Sequence, residues 1–365
     1  MYRTRFNPVK RPGRPAVKGG SSPVSFVCAL FVATLGGVSA CDAPTAFGEA
    51  DSLIVVADSA LWAEMERETY DTLEPTLFTV RPEATFHVTH VSRDGSELEQ
   101  LLMWRQVVVF AETDDPLLRE IADNAGVEEP PAAGEIVQAE DVWARGQLAT
   151  GIVLDPERRA ESWSGALPEL AETLDRQFRQ YATSRMWVSG VDTAFAAELA
   201  RRHGVTMRAP QIYHGSVGED GVVRLRNDRP SPADRIRSIL AQPRERLDSL
   251  TADAVYEWRA GVDSVMYNVA QEIERGDVPP ERFEVGGAEA VQVQGVWRDE
   301  AEYPAAGVFI ARAVQCPEAT WFFDAWLYSP HPEDSKYEYV LQLEEILDSF
   351  RCTTDSTDST DSSPE

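Results

Sequence analysis

The segment Thr320–Pro330, TWFFDAWLYSP, indicates how the second half of the chain folds. Side chains of a β-strand point alternately to the two faces of its sheet, so the segment divides into two sets. One face receives Trp321, Phe323, Ala325 and Leu327, and the other receives Phe322, Asp324, Trp326 and Tyr328. The first set is the core face. The second set mixes aromatic rings with a carboxylate, which predicts either a groove for a ligand or partner, or a second core layer under a helix with Asp324 hydrogen-bonded.

Regular elements surround this segment on both sides. Strands are predicted at about residues 288–298 and 307–316, and the helix 337–350 closes the domain. Upstream, a helix at 195–204 ends at a glycine, and the stretch 205–228 is predicted to form strands joined by a Gly-Glu-Asp-Gly turn. Residues 251–276 are predicted to form one helix. Antiparallel strands followed by a closing helix are typical of an α+β domain.

The first half of the chain alternates strand and helix signals. Apolar runs at 52–57, 106–112 and 147–155 predict buried strands of a central sheet. Asp58 is placed to cap the helix that follows the first run, and Asp115-Pro116 begins the helix that follows the second. A long amphipathic helix is predicted at 166–187. The predicted fold class is therefore α+β, with a mixed sheet of β–α units in the first half and antiparallel strands plus a closing helix in the second.

The amino terminus has the three zones of a secretory signal. Residues 1–23 carry six basic and no acidic side chains, residues 24–35 are apolar, and residues 36–40 are small. A membrane-spanning helix is the competing interpretation, but such a helix needs about 20 apolar residues and this run is shorter. The sequence therefore predicts a signal peptide over residues 1–40.

The signal ends in Val38-Ser39-Ala40-Cys41, which resembles the lipobox of bacterial lipoproteins. The resemblance implies that diacylglyceryl is attached to the Cys41 thiol, that the chain is cleaved before Cys41, and that the new amino group is acylated. An ordinary cleavage site with a chance cysteine beside it is the alternative, but the chain has only four cysteines. Several acyl chains anchor a protein stably, which predicts a cell-envelope protein on the extracytoplasmic side of the inner or the outer membrane.

The charge of the chain excludes one class of partner. Thirty-four basic residues face 61 acidic ones, and removal of residues 1–40 lowers the net charge from −27 by six, to −33. Nucleic-acid binding needs Lys and Arg to displace counterions, so no nucleic-acid partner is expected. Anionic lipid head groups would also repel this surface, so the lipid must hold the chain on the bilayer.

Two cysteines remain in the mature chain after the signal and the lipid account for Cys28 and Cys41. Cys316 ends a predicted strand and Cys352 follows the final helix. A single pair in an oxidising compartment predicts a disulfide, whereas two buried thiols that never meet are the alternative. A metal site is a poor interpretation because neither cysteine has a nearby Cys or His partner.

These observations divide the chain into five segments. The signal peptide occupies 1–40, a polar tether 41–51, an N-terminal α/β subdomain 52–190 and a C-terminal α+β subdomain 191–352. The tail 353–365 repeats Thr-Asp-Ser without an apolar residue, so it is predicted to be disordered.

No catalytic, cofactor or metal motif is evident. His87 and His90 lie three apart on a predicted strand, so they point to opposite faces and cannot share a metal. The Gly-x-Ser-x-Gly, phosphate-loop and Gly-x-Gly-x-x-Gly motifs are missing from the sequence. We therefore name no catalytic or metal-binding residue and no cofactor, although a triad is a spatial arrangement that one sequence does not reveal.

Four stretches together resemble the uncharacterised lipoprotein family catalogued as domain of unknown function 4837. They are SLIVVADSALW (52–62), VQVQGVWRDE (291–300), TWFFDAWLYSP (320–330) and YEYVLQLEEILDSF (337–350). The similarity spans most of residues 50–351 and is weaker at about 190–285. It implies an envelope lipoprotein and supplies no catalytic residue.

Two functions follow as hypotheses. The first is a lipid-anchored, non-enzymatic module that binds an envelope protein or a small molecule, or helps to assemble something there, with Trp297, Asp324, Trp326 and Tyr328 as candidate binding residues. The second is an extracytoplasmic hydrolase with an unrecognised site. A pocket with converging Ser, His and Asp, or a buried carboxylate pair, would favour the hydrolase.

Overall fold

The computed structural model describes residues 44–77, 83–228, 235–266, 271–299, 305–329 and 335–352. The predicted signal peptide 1–40, the lipid-attachment residue Cys41 and the tail 353–365 lie outside the described residues. None of the described helices combines the length and the apolar character that crossing a membrane requires.

The first half of the chain forms a mostly parallel sheet. Its elements, in chain order, are β1 (Ser52–Ala57), α1 (Ser59–Leu73), β2 (Thr76–Leu77), β3 (Glu83–Ala84), β4 (His87–Ser92), α2 (Leu98–Leu101), β5 (Gln106–Ala111), α3 (Pro116–Asn124), β6 (Ile136–Glu140), β7 (Leu148–Val153) and α4 (Arg159–Met186). The strand order is β4-β1-β5-β7-β6, and only the edge strand β6 is antiparallel to its neighbour. Asp58 and Asp115 cap α1 and α3 as predicted, each accepting two backbone N–H bonds.

The second half forms a larger antiparallel sheet. Its elements are α5 (Thr193–His203), β8 (Val205–Thr206), β9 (His214–Val217), β10 (Val223–Asn227), β11 (Ile236–Arg244), α6 (Ala252–Met266), β12 (Gln271–Arg275), β13 (Glu281–Val285), β14 (Ala288–Asp299), β15 (Ala306–Gln315), β16 (Thr320–Tyr328), α7 (Tyr337–Asp348) and β17 (Arg351–Cys352). The strand order is β12-β14-β15-β16-β11-β10-β9, with β13 also paired to β14. The predicted α+β class, including the closing helix, is confirmed.

Helix α7 joins the two sheets. Tyr337 and Leu341 belong to the core that α1 and α4 form with the first sheet. Val340 and Leu343 belong to the core on the facing side of the second sheet. The Tyr337 ring also stacks on Phe178 of α4, with ring centroids 5.3 Å apart. Helices α4 and α7 therefore form a shared layer between the sheets, while α3 covers the outer face of the first sheet and α6 that of the second.

The prediction that one helix extends to residue 276 is wrong. The helix α6 ends at Met266, and residues 271–275 form β12, an edge strand paired with residues 295–299 of β14. The sequence Gln-Glu-Ile-Glu-Arg suits a helix in isolation, but here Ile273 packs on the core under α6. Tertiary contacts therefore override the local helix propensity.

Part of the predicted tether 41–51 is docked on the domain. Ala46 is buried, and its N–H donates to the Arg145 carbonyl at 2.9 Å. The Phe47 ring packs on Trp104 with centroids 4.7 Å apart, and Gly48, at φ +92°, leaves space for that indole where a Cβ would clash. Residues 44–51 of the predicted tether therefore contact the folded domain, through partners that the sequence does not show.

Cys316 and Cys352 lie at disulfide-bonding distance, as the predicted bridge requires. Their Cα atoms are 5.6 Å apart, and the structure joins them across a sequence separation of 36 residues. The bridge ties the end of β15 to β17, so it fixes the point where the chain leaves α7.

A buried ion pair connects α6 to the centre of the second sheet. Arg259 of α6 places Nε 2.8 Å from Oδ1 of Asp324 on β16, and neither side chain is exposed. Arg259 also donates from Nη2 to Gln271 Oε1 at 2.6 Å, and its guanidinium carbon lies 5.1 Å from the centre of the Phe309 ring. Removal of either charge takes an ion-pair partner from the other, and breaking a buried ion pair is costly because the remaining charge stays out of water.

Replacement of Asp324 by Asn is expected to lower the free energy of unfolding by about 3–5 kcal/mol, because it removes the carboxylate charge that faces the buried Arg259 guanidinium. Urea denaturation at pH 7 measures the effect. Asp253→Asn is the matched control, since Asp253 pairs with Arg275 at 2.9 Å on the exposed side of the same helix. That control should cost no more than about 1 kcal/mol. Equal losses in the two variants would contradict the importance of the buried pair.

Candidate functional site

The aromatic face, for which the sequence allows a groove or a core layer, is largely buried under α6. Trp297, Asp324 and Trp326 are buried, and Tyr328 is half-buried at the same face. Trp297 and Trp326 pack edge to face, with ring centroids 5.3 Å apart, in the cluster that α6 covers. The structure brings the predicted residues together but closes them off from solvent. This burial agrees with the second of the two interpretations, a core layer under a helix with Asp324 paired.

The two neighbouring histidines do not converge. His90 stacks on Trp62 with ring centroids 4.4 Å apart, whereas His87 is exposed at the start of β4. Within the described ranges, no group of three or more His, Cys, Asp or Glu side chains is arranged to hold a metal ion.

The carboxyl edge of the parallel sheet is the usual ligand site of such a fold, because strand order reverses there between β1 and β5. A cavity of about 270 Å³ lies at this edge. Arg93 forms an ion pair with Asp115, and Arg159 forms one with Glu112. Asp58 and Asp115 already occupy the amino ends of α1 and α3 as caps. The charged side chains Arg93, Asp115, Arg159 and Glu112 of this crevice therefore pair with one another. The amino ends of α1 and α3 are already capped, so neither is open to a bound anion.

A larger groove of about 640 Å³ lies beside α7 and β13–β15. Its charged side chains pair with one another: Arg312 donates to Asp348 Oδ1 at 2.7 Å and to Gln292 Oε1 at 2.9 Å. Glu344 lies 3.6 Å from Arg179. The groove is open to solvent, but its charged side chains pair with one another where α7 packs on the second sheet.

A different cavity lies where the two halves meet, and we call it the junction pocket. Its volume is about 310 Å³, at the lower end of the roughly 300–1,000 Å³ of small-molecule sites. The lining side chains that carry chemistry are Asp51, Ser52, His87, Phe178, Tyr181, Arg185, Arg235, Glu338 and Tyr339. It combines both signs of charge with aromatic walls, as ligand sites between packed units commonly do.

Five elements position the side chains of the junction pocket: β1, β4, α4, β11 and α7. Asp51 directly precedes β1, and Arg235 directly precedes β11. Phe178, Tyr181 and Arg185 occur at helical spacing on α4, so they share one face of that helix. Ser52 begins β1, His87 begins β4, and the first turn of α7 supplies Glu338 and Tyr339. The packing of α7 between the sheets therefore assembles the pocket from distant parts of the sequence.

Asp51 is the most unusual residue of the pocket. It is 7% exposed although it is an acid, and a buried carboxylate normally has a partner. Among the described residues, none donates a hydrogen bond to the Asp51 carboxylate or forms an ion pair with it. The carboxylate thus faces the cavity without a protein donor, and its oxygens keep contact with solvent there, since neither is among the fully buried unpartnered atoms of the described residues.

The cationic side of the pocket is built on tyrosines. Arg185 donates from Nη1 to the Tyr181 hydroxyl, and the same nitrogen lies 3.6 Å from Glu338 Oε2. Arg235 donates to the Tyr339 hydroxyl, and its guanidinium carbon lies 4.8 Å from the centre of that ring. Cation–π contacts of this kind add to the hydrogen bonds that hold the two guanidiniums in place.

The carboxyl of Glu338, in the same pocket, has a raised pKa. Burial raises the pKa of its carboxyl above the ordinary value, the guanidiniums of Arg185, Arg237 and Arg235 lower it in part, and Asp51 raises it. Gln342 donates to Glu338 Oε1 at 3.1 Å, which fixes the orientation of the carboxyl. A shifted carboxyl in a cavity is a feature of functional sites.

Sequence reasoning missed this pocket. Asp51 was assigned to the tether, and the α4 and α7 residues were interpreted only as parts of amphipathic helices. One signal was available: Phe178, Tyr181 and Arg185 place two aromatic rings and a cation on one helix face.

Glu338→Gln is expected to change the pH dependence of stability. The folded chain disfavours ionised Glu338, so the folded chain binds more protons at this carboxyl than the unfolded chain does. The protonated carboxyl therefore stabilises the folded chain at low pH, and this stabilisation is lost as the pH rises through the raised pKa. The free energy of unfolding of Glu338→Gln, relative to the unmodified chain, should therefore increase from pH 4 to pH 7. Urea denaturation across this range measures it. Glu172→Gln, at an 81% exposed side chain on α4, should show a flat difference, and a flat difference for both variants would contradict the shift.

The comparisons with solved structures are partial. The Saccharomyces cerevisiae Ran-binding protein Mog1p aligns at 13% identity over 41% of this chain and 92% of that chain, with a TM-score of 0.29. Cyanobacterial PsbP from Synechocystis aligns at 15% identity over 44% of this chain and 89% of that chain, with a TM-score of 0.29. A protein from Bacteroides thetaiotaomicron aligns at 13% identity over 41% and 46% of the two chains, with a TM-score of 0.24. Scores this low do not establish a common overall fold.

No curated protein matches this chain. One family model matches the part of the chain that contains the antiparallel sheet and α7. The first half of the chain lies outside the matched range, although one of the four resembling stretches, SLIVVADSALW (52–62), belongs to it. Residues 192–349 are similar to the family described as Domain of unknown function (DUF4837).

Proposed function

We propose that this chain is a lipid-anchored protein of the cell envelope whose folded domain binds a small molecule in the junction pocket. Two independent features support the proposal: the signal ending in Cys41 supports the anchor, and the pocket supports the binding activity. The domain would act on the extracytoplasmic side of a membrane and would be held there by its lipid.

The observation that carries the binding function is the Asp51 carboxylate. A mostly buried carboxylate without a protein donor relies on water from the open cavity, and a ligand donor can replace that water. Asp51 opens into a cavity that also contains guanidiniums and tyrosine hydroxyls, so a ligand with suitable donors would satisfy it. The cavity at the carboxyl edge of the parallel sheet and the groove beside α7 pair their charged side chains internally. Of these three cavities, the junction pocket is the one that gains most from a ligand.

A hydrolase is the second candidate, because the same pocket contains Ser52 and His87. These two residues are register partners on the parallel strands β1 and β4, and Asp51 precedes Ser52. In the described structure no hydrogen bond joins the Ser52 hydroxyl to the His87 ring, or that ring to the Asp51 carboxylate. The chain as folded thus holds the residue types of a triad without the contacts that activate a nucleophile, and binding is the better-supported function.

The lipid anchor is tested at Cys41. Mass spectrometry of the mature amino terminus should find acylated Cys41, and the Cys41→Ser chain should lose both the acyl groups and its fractionation with membranes. Cys28→Ser is the matched control, since Cys28 lies inside the predicted signal and should be removed with it. A Cys41→Ser chain that still matures and remains with membranes would contradict the anchor.

The binding function is tested by thermal unfolding of the detergent-extracted chain with the small-molecule fraction of the source cells. A ligand present at about 100 times its Kd would stabilise the folded chain by about 2.7 kcal/mol and raise its Tm. Asp51→Asn should lose this shift, whereas Glu172→Gln, outside the pocket, should keep it. An undiminished shift in Asp51→Asn would show that the ligand binds elsewhere.

Ser52→Ala separates the two candidate functions in the same assay. For a binding module, the unmodified chain returns the ligand unchanged, as mass spectrometry of the fraction after incubation would show. For a hydrolase, the unmodified chain consumes the ligand with time, and Ser52→Ala binds it without consuming it.

A further inference from the structure

We propose that the ligand of the junction pocket is a zwitterion, an α-amino acid or a short peptide with both termini free. Its ammonium group would lie at Asp51 and its carboxylate at Arg185. This inference rests on the proposed binding function and specifies the chemistry of the ligand.

The ammonium position follows from the unused acceptors of Asp51. A carboxylate has two oxygens and no donor, so its partner must donate hydrogen bonds. An ammonium group supplies three donors and the opposite charge, which compensates for the loss of water around a residue that is 7% exposed. An anionic group at this position would be repelled by both Asp51 and Glu338.

The carboxylate position follows from the unused donors of Arg185. Both of its polar contacts use Nη1, which donates to Tyr181 and approaches Glu338 at 3.6 Å. In the part of the chain that the structure describes, neither Nε nor Nη2 of Arg185 has a partner. The side chain is 54% exposed, so a ligand can reach it. A guanidinium with adjacent N–H groups free is the preferred receptor of a carboxylate, which it binds with two parallel hydrogen bonds.

The two poles together exclude ligands with one charge. A simple carboxylate would satisfy Arg185 and leave Asp51 without a partner, and a simple amine would do the reverse. The cavity of about 310 Å³ limits the ligand to a small molecule. Phe178 and Tyr181 supply an apolar wall beside the polar groups, which suits the carbon skeleton of an amino acid.

Three related dipeptides test the inference on the detergent-extracted full chain. The first is L-alanyl-L-alanine, the second its N-acetyl derivative, which lacks the ammonium, and the third its C-terminal amide, which lacks the carboxylate. Calorimetric titration should show the free dipeptide binding on the order of tenfold more tightly than either derivative, because each derivative loses one charge-assisted interaction.

Two variants assign each pole to its residue. Asp51→Asn should remove the preference for the free dipeptide over the N-acetyl form and keep the preference over the amide. Arg185→Gln should do the opposite, and Arg185→Lys should restore part of the preference over the amide because it restores the charge. Glu172→Gln should bind all three as the unmodified chain does. Melting temperatures of the free variants show that each is folded.

The outcomes distinguish the ligand class from the binding function. Equal binding of the three dipeptides, or tighter binding of either derivative, would overturn the zwitterion and leave the pocket as a binding site. The same conclusion follows if none of them binds while the cell-extract fraction still raises the Tm through Asp51. If neither the dipeptides nor the extract has an effect, the binding function itself fails.

Discussion

The ion pair between Arg259 and Asp324 is the constraint that organises the second sheet. β16 is buried on both faces, so α6 must cover the face that contains Asp324, and Arg259 fixes where α6 lies. A fully apolar strand would pack as well and at lower desolvation cost, but it would allow α6 to slide along the sheet. The pair defines one register between helix and strand. β15, next to β16, then receives its inner layer from the same helix.

The opposite face of β16 determines where α7 lies, and α7 in turn creates the junction pocket. Two faces of α7 pack on two different hydrophobic cores, and Tyr337 of α7 stacks on Phe178 of α4. The first turn of α7 therefore stands beside the carboxyl-terminal part of α4, where Glu338 meets Arg185. Polar groups are concentrated at this point because the two apolar cores end there and a buried polar group needs a partner.

The sequence predicts what depends on local periodicity and caps. The alternation in TWFFDAWLYSP defines both faces of β16, and Asp58 marks the start of α1, because both signals act within a few residues. It does not predict β12, whose helix-like composition is overridden by pairing with β14, nor the docking of Phe47 on Trp104. The same limit applies to the candidate site. The aromatic face was identified correctly as a set, but whether it faces solvent depends on α6, which lies some 60 residues earlier in the chain.

The electrostatics of the junction pocket oppose those of the whole chain. A net charge of −27 repels anions at long range, so a purely anionic ligand would approach against the field of the protein. At physiological salt this field is screened within about 8 Å, and inside the pocket the nearest charges dominate. Those charges are of both signs and a few ångströms apart, with Arg185 at 3.6 Å from Glu338. A ligand with separated charges and no net charge is neither attracted nor repelled at a distance, and it is recognised only once both of its poles are inside the pocket. Selectivity then depends on the separation of Asp51 and Arg185, and the packing of α4 on α1, β7 and α7 sets the position of Arg185.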